Sequence, residues 1–285
     1  MVMLGKRNKL EIIKESTPGL YLNGGDGTEI LLPGRYIPKG WKTGDILDVF
    51  VYLDSEDRPV ATTETPLAML GDFACLKVIS INKKIGAFLD WGLAKNLLLP
   101  FRDQVGPQVE VGQSVVVYVD MDVKSSRLIC TMRFKKHFSP LMPPYTKNQA
   151  VQMLIATESP LGYNIIVDNL YEGLLYHTNL AGPIALGSKV TGYVHQVRPD
   201  HKIDLRLDAA GYKKTIPIRD QILQMLHKGG GRMRFDDKSS PEDIRQAFKV
   251  SKNTFKLALS ALYRERMISF EATGTHLAPP KKVGR

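Results

Sequence analysis

Gly86-Ala87-Phe88-Leu89-Asp90-Trp91, then Leu97-Leu98-Leu99-Pro100, then Gly112-Gln113-Ser114-Val115-Val116-Val117-Tyr118-Val119 is the stretch on which the fold turns. Its spacing recurs on either side. Gly19-Leu20-Tyr21-Leu22 leads to Leu31-Leu32-Pro33, and Gly162-Tyr163-Asn164-Ile165 leads to Leu174-Leu175-Tyr176. A second glycine follows each time (Gly44, Gly112, Gly187) and opens an alternating segment. A basic residue then closes the unit: Arg58, Arg127 or Lys202. Self-similarity at one period means one supersecondary unit used several times. These units are too long for a solenoid turn and fit small five-stranded domains.

The middle unit shows why. Phe73 to Ile81 alternates, and Asn82-Lys83-Lys84 turns the chain into Gly86. Ala87 to Trp91 reads as a second strand and Asn96 to Pro100 as a third. Ser114 to Asp120 reads as the fourth, Lys124-Ser125-Ser126 as a turn, and Arg127 to Met132 as the fifth. Short strands at this spacing, bounded by turn residues, predict a closed or nearly closed Greek-key barrel.

The glycine, small residue, aromatic, apolar, Asp order of this unit resembles the S1 RNA-binding domain, a member of the OB-fold group. The resemblance covers residues 67–138 best, 145–210 less well and 1–66 least. It implies single-stranded RNA as ligand, with bases stacked on rings and phosphates met by cations. The family's aromatic two residues after the first glycine corresponds to Tyr21, Phe88 and Asn164, and its strand-five cation to Arg58, Arg127 and Lys202. The second unit adds Lys83, Lys84 and Phe101; the third offers Tyr163, Tyr176 and His177. Tyr21 is expected in a barrel core and Phe88 on the binding face. The family's preceding aromatic is replaced by Pro18, Ile85 and Leu161, and its strand-three histidine by Pro33, Pro100 and Tyr176. No unit therefore carries a full stacking platform.

Beyond Gly211 the apolar period changes to 3.6. Ile218, Ile222, Leu223 and Leu226 mark one helix, stopped by Gly229-Gly230-Gly231. Ser240-Pro241-Glu242-Asp243 starts a second with a cap, a first-position proline and early acids. Ser251 caps a third, with Phe255, Ala258, Leu259 and Leu262 on one face and Lys252, Lys256, Tyr263 and Arg264 on the other. Ile268 to Glu271 and Thr275 to Leu277 predict a hairpin. This order is that of a winged helix-turn-helix, whose third helix usually enters a DNA major groove. Only Asn253 and Arg264 suit base-edge readout. A protein-docking or RNA-supporting module is the other reading.

The expected fold is thus mostly β and multidomain: three tandem S1-like five-stranded OB barrels (residues 1–66, 67–138 and 145–210) plus a C-terminal α/β winged helix-turn-helix (213–278). This order is similar to that of the conserved virulence factor B family, as is the segment Val250 to Tyr263. The resemblance implies a bacterial RNA-binding regulator acting after transcription.

Charge is consistent with polyanionic partners. Of the net +10, residues 211–285 hold 16 basic and 7 acidic side chains, and residues 67–138 hold 10 and 6. Charge by itself also fits a solubilising surface. No apolar run nears the roughly 20 residues that cross a bilayer, and Lys6-Arg7 interrupts any leader-like start, so a cytoplasmic location is expected. Cys75 and Cys130 show no metal-ligand spacing and are expected as buried thiols. Asp120 and Asp122 are joined by no further acid, Asp236-Asp237 reads as a turn, and no phosphate loop or nucleophile motif occurs. No enzyme activity, cofactor or metal is expected. Single-stranded RNA is the expected partner. A DNA-binding regulator using the barrels as a sensor arm is the alternative, and an adaptor for the ribosome or another protein the third class.

Overall fold

A computed structural model describes residues 2–180, 182–207, 215–271 and 274–278. The chain divides into two compact units, Met1–Phe138 and Ser139–Arg285. The expected start of the fourth domain at 213 lies outside the described residues.

The first unit holds two closed barrels. One is built from β1 (Arg7–Ser16), β2 (Gly19–Asn23), β3 (Glu29–Pro33), β4 (Ile46–Leu53) and β5 (Pro59–Thr62). The other uses β6 (Phe73–Asn82), β7 (Gly86–Asp90), β8 (Leu97–Pro100), β9 (Ser114–Met121) and β10 (Leu128–Thr131). A third, in the second unit, uses β11 (Ala150–Ser159), β12 (Gly162–Val167), β13 (Tyr171–Tyr176), β14 (Lys189–Val197) and β15 (Ile203–Arg206).

Both repeated glycines have a mechanical role. A Cβ on Gly19, Gly86 or Gly162 would lie 2.1–2.2 Å from the carbonyl oxygen of Leu32, Leu99 or Leu175. The same glycines hold φ of +152°, +143° and +156°. Only a residue without a side chain lets the second and third strands approach this closely. The second glycine serves the first strand. The amides of Gly44, Gly112 and Gly187 donate to the Ile12, Val78 and Ile155 carbonyls at 2.7–2.9 Å. Each acceptor sits at a register shift in β1, β6 or β11. A bulge bends a strand and increases its twist. Here it lets one strand pair with the fourth strand through its first half and with the second through its remainder. Parallel pairing of third and fifth strands closes each barrel, at Leu31 with Val60, Leu98 with Ile129 and Leu174 with Asp204.

Strand alternation then sorts side chains in from out. One residue past the first glycine, Leu20, Ala87 and Tyr163 are buried; two residues past it, Tyr21, Phe88 and Asn164 are only half-buried. Two expectations are corrected by this parity. Tyr163 is 2% exposed in the third core, where its hydroxyl accepts the Ile184 amide at 3.3 Å. Tyr21 lies outside its core, with the Lys14 ammonium 5.0 Å from its ring centre.

The first two barrels are docked, not strung. Trp91 meets Phe50 edge-on at 5.6 Å and Tyr52 at 6.4 Å, so one apolar cluster spans both. The Lys95 ammonium donates to the Leu53 and Asp54 carbonyls at 2.8 and 2.9 Å, and burial pulls its pKa below the ordinary lysine value. The connecting residues are also held, since the Leu67 amide donates to the Trp91 carbonyl and the Arg7 guanidinium to the Thr65 hydroxyl.

In the second unit, Ser139 and Pro140 lie along the third barrel, bonded to Leu170 and His201. The winged helix follows with α1 (Thr215–Lys228), β16 (Arg232–Met233), α2 (Pro241–Phe248), α3 (Lys252–Arg264), β17 (Ile268–Glu271) and β18 (Gly274–Leu277). Ser240 and Ser251 cap α2 and α3, accepting the Asp243 and Thr254 amides. Phe255, Ala258, Leu259 and Leu262 of α3 meet Ile218, Ile222 and Leu226 of α1 in one core. After the glycine triplet, β16 joins the wing as a third strand, in the order β16-β18-β17.

Gly86→Ala is expected to destabilise the first unit by at least about 2 kcal/mol, since backbone stands where the methyl must go. Gly106→Ala, at φ +82° in open space, should cost only about 1 kcal/mol. Urea unfolding followed by tryptophan fluorescence compares them, both tryptophans (Trp41 and Trp91) lying in this unit. By the same parity, Tyr163→Ala should cost about 3 kcal/mol and Phe88→Ala no more than about 1 kcal/mol; equal losses in scanning calorimetry would contradict the assignment of faces.

Candidate nucleic-acid interface

The outward positions of β7, β8 and β10 carry Phe88, Leu98 and Ile129. They form the floor of a groove of about 690 Å³. Phe101, the first residue of a short 3-10 turn after β8, stands at its side. Opposite, Tyr52, Leu53 and Asp57 of the first barrel make a wall. The rim holds Lys84, Lys95, Arg102, Lys124 and Arg127 against the carboxylates of Asp57 and Asp122. The excess is cationic, and the floor is apolar with rings.

The cations are not equivalent. Arg127 Nε meets Asp57 Oδ1 at 2.5 Å and its Nη2 reaches the Ser55 carbonyl at 3.4 Å. That hydrogen bond holds the Asp57 carboxyl below its usual range and raises the guanidinium. Both side chains remain well solvated, 43% and 54% exposed, so the pair exchanges readily for another anion. Arg102 is shared by Asp103 and Asp122 at 3.2 and 2.9 Å. Lys83, Lys84 and Lys124 are exposed in the two loops flanking the groove. The other two strand-five cations are also engaged, Arg58 by Asp54 and Glu56, Lys202 by Glu172 at 2.8 Å.

The matching face of the third barrel has different chemistry. Asn164, Leu174 and Asp204 occupy the register positions of Phe88, Leu98 and Ile129. Asp204, 5% exposed, accepts from Gln196 at 2.6 Å and from the Tyr176 hydroxyl at 3.3 Å, with Arg198 3.8 Å away. Burial, then Asp204, raises the Tyr176 pKa. His177 Nε2 lies 3.0 Å from the Ser159 carbonyl and its ring is edge-on to Tyr163. This face offers hydrogen bonds where the second barrel offers rings.

On the winged helix, Lys256 and Arg264 are exposed along α3, and Lys252 reaches the Lys238 carbonyl at 3.4 Å. Asn253, one of two candidates for base-edge contact, donates to Asn179 in the 3-10 turn after β13. Tyr263 and Phe270 stack at 5.4 Å, both substantially exposed.

Sequence reasoning missed Asp57, Lys124 and the floor residues Leu98 and Ile129. The floor was detectable, because outward apolar residues on three strands of one barrel face are visible from parity. Asp57 was not, standing 70 residues from its partner. Among the described residues no group of three or more His, Cys, Asp or Glu is placed to hold a metal, and no helix is long and apolar enough to cross a membrane. Cys130 is buried and Cys75 half-buried.

Comparison with known proteins agrees with this architecture. The family described as S1 domain matches residues 4–64, and the CvfB-like winged helix domain matches residues 220–277. An uncharacterized protein from Bacillus subtilis, YitL, is 27% identical over 95% of this chain and 93% of its own length. Conserved virulence factor B of Staphylococcus saprophyticus is 23% identical, again over 95% and 93%. A crystal structure of a multidomain protein with nucleic acid binding domains from Streptococcus pneumoniae aligns over 96% of this chain and 98% of that one, at 24% identity and a TM-score of 0.45. Three closed barrels, the first matched as an S1 domain, lead to a C-terminal winged helix of the CvfB-like type, and over nearly its whole length the chain is similar to the conserved virulence factor B proteins.

Proposed function

We propose that this protein binds single-stranded RNA in the cytoplasm and acts, without catalysing a reaction, on gene expression after transcription. The observation that carries the reading is the second-barrel face, where Phe88 lies in an apolar floor, with Phe101 at its side, under a cationic rim. Bases paired in a duplex are stacked on one another and offer no face to such rings, whereas unpaired bases do. The winged helix supports the same ligand. With Asn253 tied to Asn179, α3 keeps Lys252, Lys256 and Arg264 as cations beside exposed Leu257, Ser260 and Tyr263, and cations that meet phosphate position a nucleic acid without reading its sequence. Weak sites in two units of one chain add through effective concentration, so the whole binds where each part barely does. The similarity to proteins named conserved virulence factor B fits a regulatory role.

Titration of the full chain with unpaired RNA should show affinity falling with salt, each phosphate contact contributing about −0.7 to the logarithmic slope. Phe88→Ala with Arg127→Ala should weaken RNA binding at least about fivefold, the loss of one stacked ring being worth about 1–3 kcal/mol. Lys84→Ala should flatten the salt slope and Phe88→Ala should leave it unchanged. Preference for duplex DNA of equal length, abolished by Lys252→Ala with Lys256→Ala, would instead establish a DNA-binding regulator.

A further inference from the structure

We infer that the groove between the first two barrels is a pocket for a single nucleoside-phosphate unit, in which Asp57 of the first barrel competes with the ligand's phosphate for Arg127. The inference rests on the nucleic-acid reading of the second barrel and adds a role for the first.

Three features set this groove apart from an open barrel face. It is bounded: the end of β4 contributes Tyr52 and Leu53, and the turn to β5 contributes Asp57, to the lining that also holds Phe88 and Phe101. That wall is fixed, because Lys95 holds the Leu53 and Asp54 carbonyls and Trp91 packs on Phe50 and Tyr52. At about 690 Å³ the space falls in the range of small-ligand sites, which runs from roughly 300 to 1,000 Å³. Finally, its chemistry is divided as a nucleotide is divided. Rings and aliphatic side chains line the floor, and Lys84, Lys124 and Arg127 stand at the edge. A base on the floor beside Phe88 leaves its phosphate at that edge.

Asp57 is the residue that gives the site its selectivity. It occupies the Arg127 guanidinium through one hydrogen bond at 2.5 Å, the place a phosphate oxygen would take. A carboxylate offers one negative charge; a phosphate monoester carries nearly two and a diester within RNA carries one, and either brings further acceptor oxygens to an edge that also holds Lys84 and Lys124. The exchange therefore favours phosphate over an uncharged ligand. Asp57 also sits in a turn at φ +61°, a conformation that Asn adopts as readily as Asp. Asp57→Asn accordingly removes the charge and keeps the turn.

The test titrates adenylate and uridylate mononucleotides, and separately a short unpaired RNA, into the full-length protein, with binding followed by protein-detected NMR. Expected are mononucleotide binding that perturbs Phe88 and Phe101, about tenfold weakening in Phe88→Ala, and strengthening of at least about threefold in Asp57→Asn. The corresponding nucleosides, lacking phosphate, should bind more weakly and gain nothing from Asp57→Asn. Mononucleotide displaced by the RNA identifies the natural occupant as one unit of the chain. Mononucleotide retained beside bound RNA identifies it as a free nucleotide. RNA binding without any mononucleotide binding at the groove overturns the pocket and leaves the RNA reading intact. Absence of both removes the reading beneath it too. Asp57→Asn without effect, or with weakened binding, overturns the competition.

Discussion

A carbonyl oxygen resting where a side chain would begin is the constraint on which each barrel depends. Leu32, Leu99 and Leu175 place their oxygens 2.1–2.2 Å from the position a Cβ would take on Gly19, Gly86 and Gly162. That contact sets the approach of the second strand to the third. The third strand can then pair in parallel with the fifth, and the bulged first strand can close the cylinder on both sides. Closure removes the unpaired edges that a five-stranded sheet would otherwise present. It also fixes which residues face outward. The outward position of Phe88 is therefore a consequence of a backbone contact two residues away.

The same scaffold carries different chemistry in different copies, as expected where function is grafted on a fold. At equivalent register the second barrel displays Phe88, Leu98 and Ile129, and the third displays Asn164, Leu174 and Asp204. Rings and methyls favour stacking. A buried carboxylate held by Gln196 and Tyr176 is a fixed acceptor, repelling phosphate and orienting hydrogen-bond donors. The first barrel is different again. Its Tyr21 lies beneath Lys14, and its turn residues serve the neighbouring groove.

Docking of the first barrel changes what the second can do. An isolated barrel face would be open along its length. Packing of Trp91 against Phe50 and Tyr52 turns it into a walled groove and brings Asp57 to Arg127. Because both members of that ion pair stay solvated, the contact positions the guanidinium without locking it.

Much of this was legible in the sequence. Glycine spacing located the barrels, alternation located their strands, and Ser240 and Ser251 announced the helices they cap. These signals are local, each set by the backbone geometry of a few neighbouring residues. Tyr163 was misplaced because its ring suggested a ligand face while its position, one residue from the glycine, pointed it inward. The short β16, two residues long, carries too little pattern to be read. Pairing of Arg127 with Asp57, and the wall that Tyr52 and Leu53 raise over Phe88, were decided only by tertiary structure. A sequence specifies which way each side chain leaves its strand; it does not specify which distant surface that side chain will meet, because that depends on how one closed barrel packs against the next.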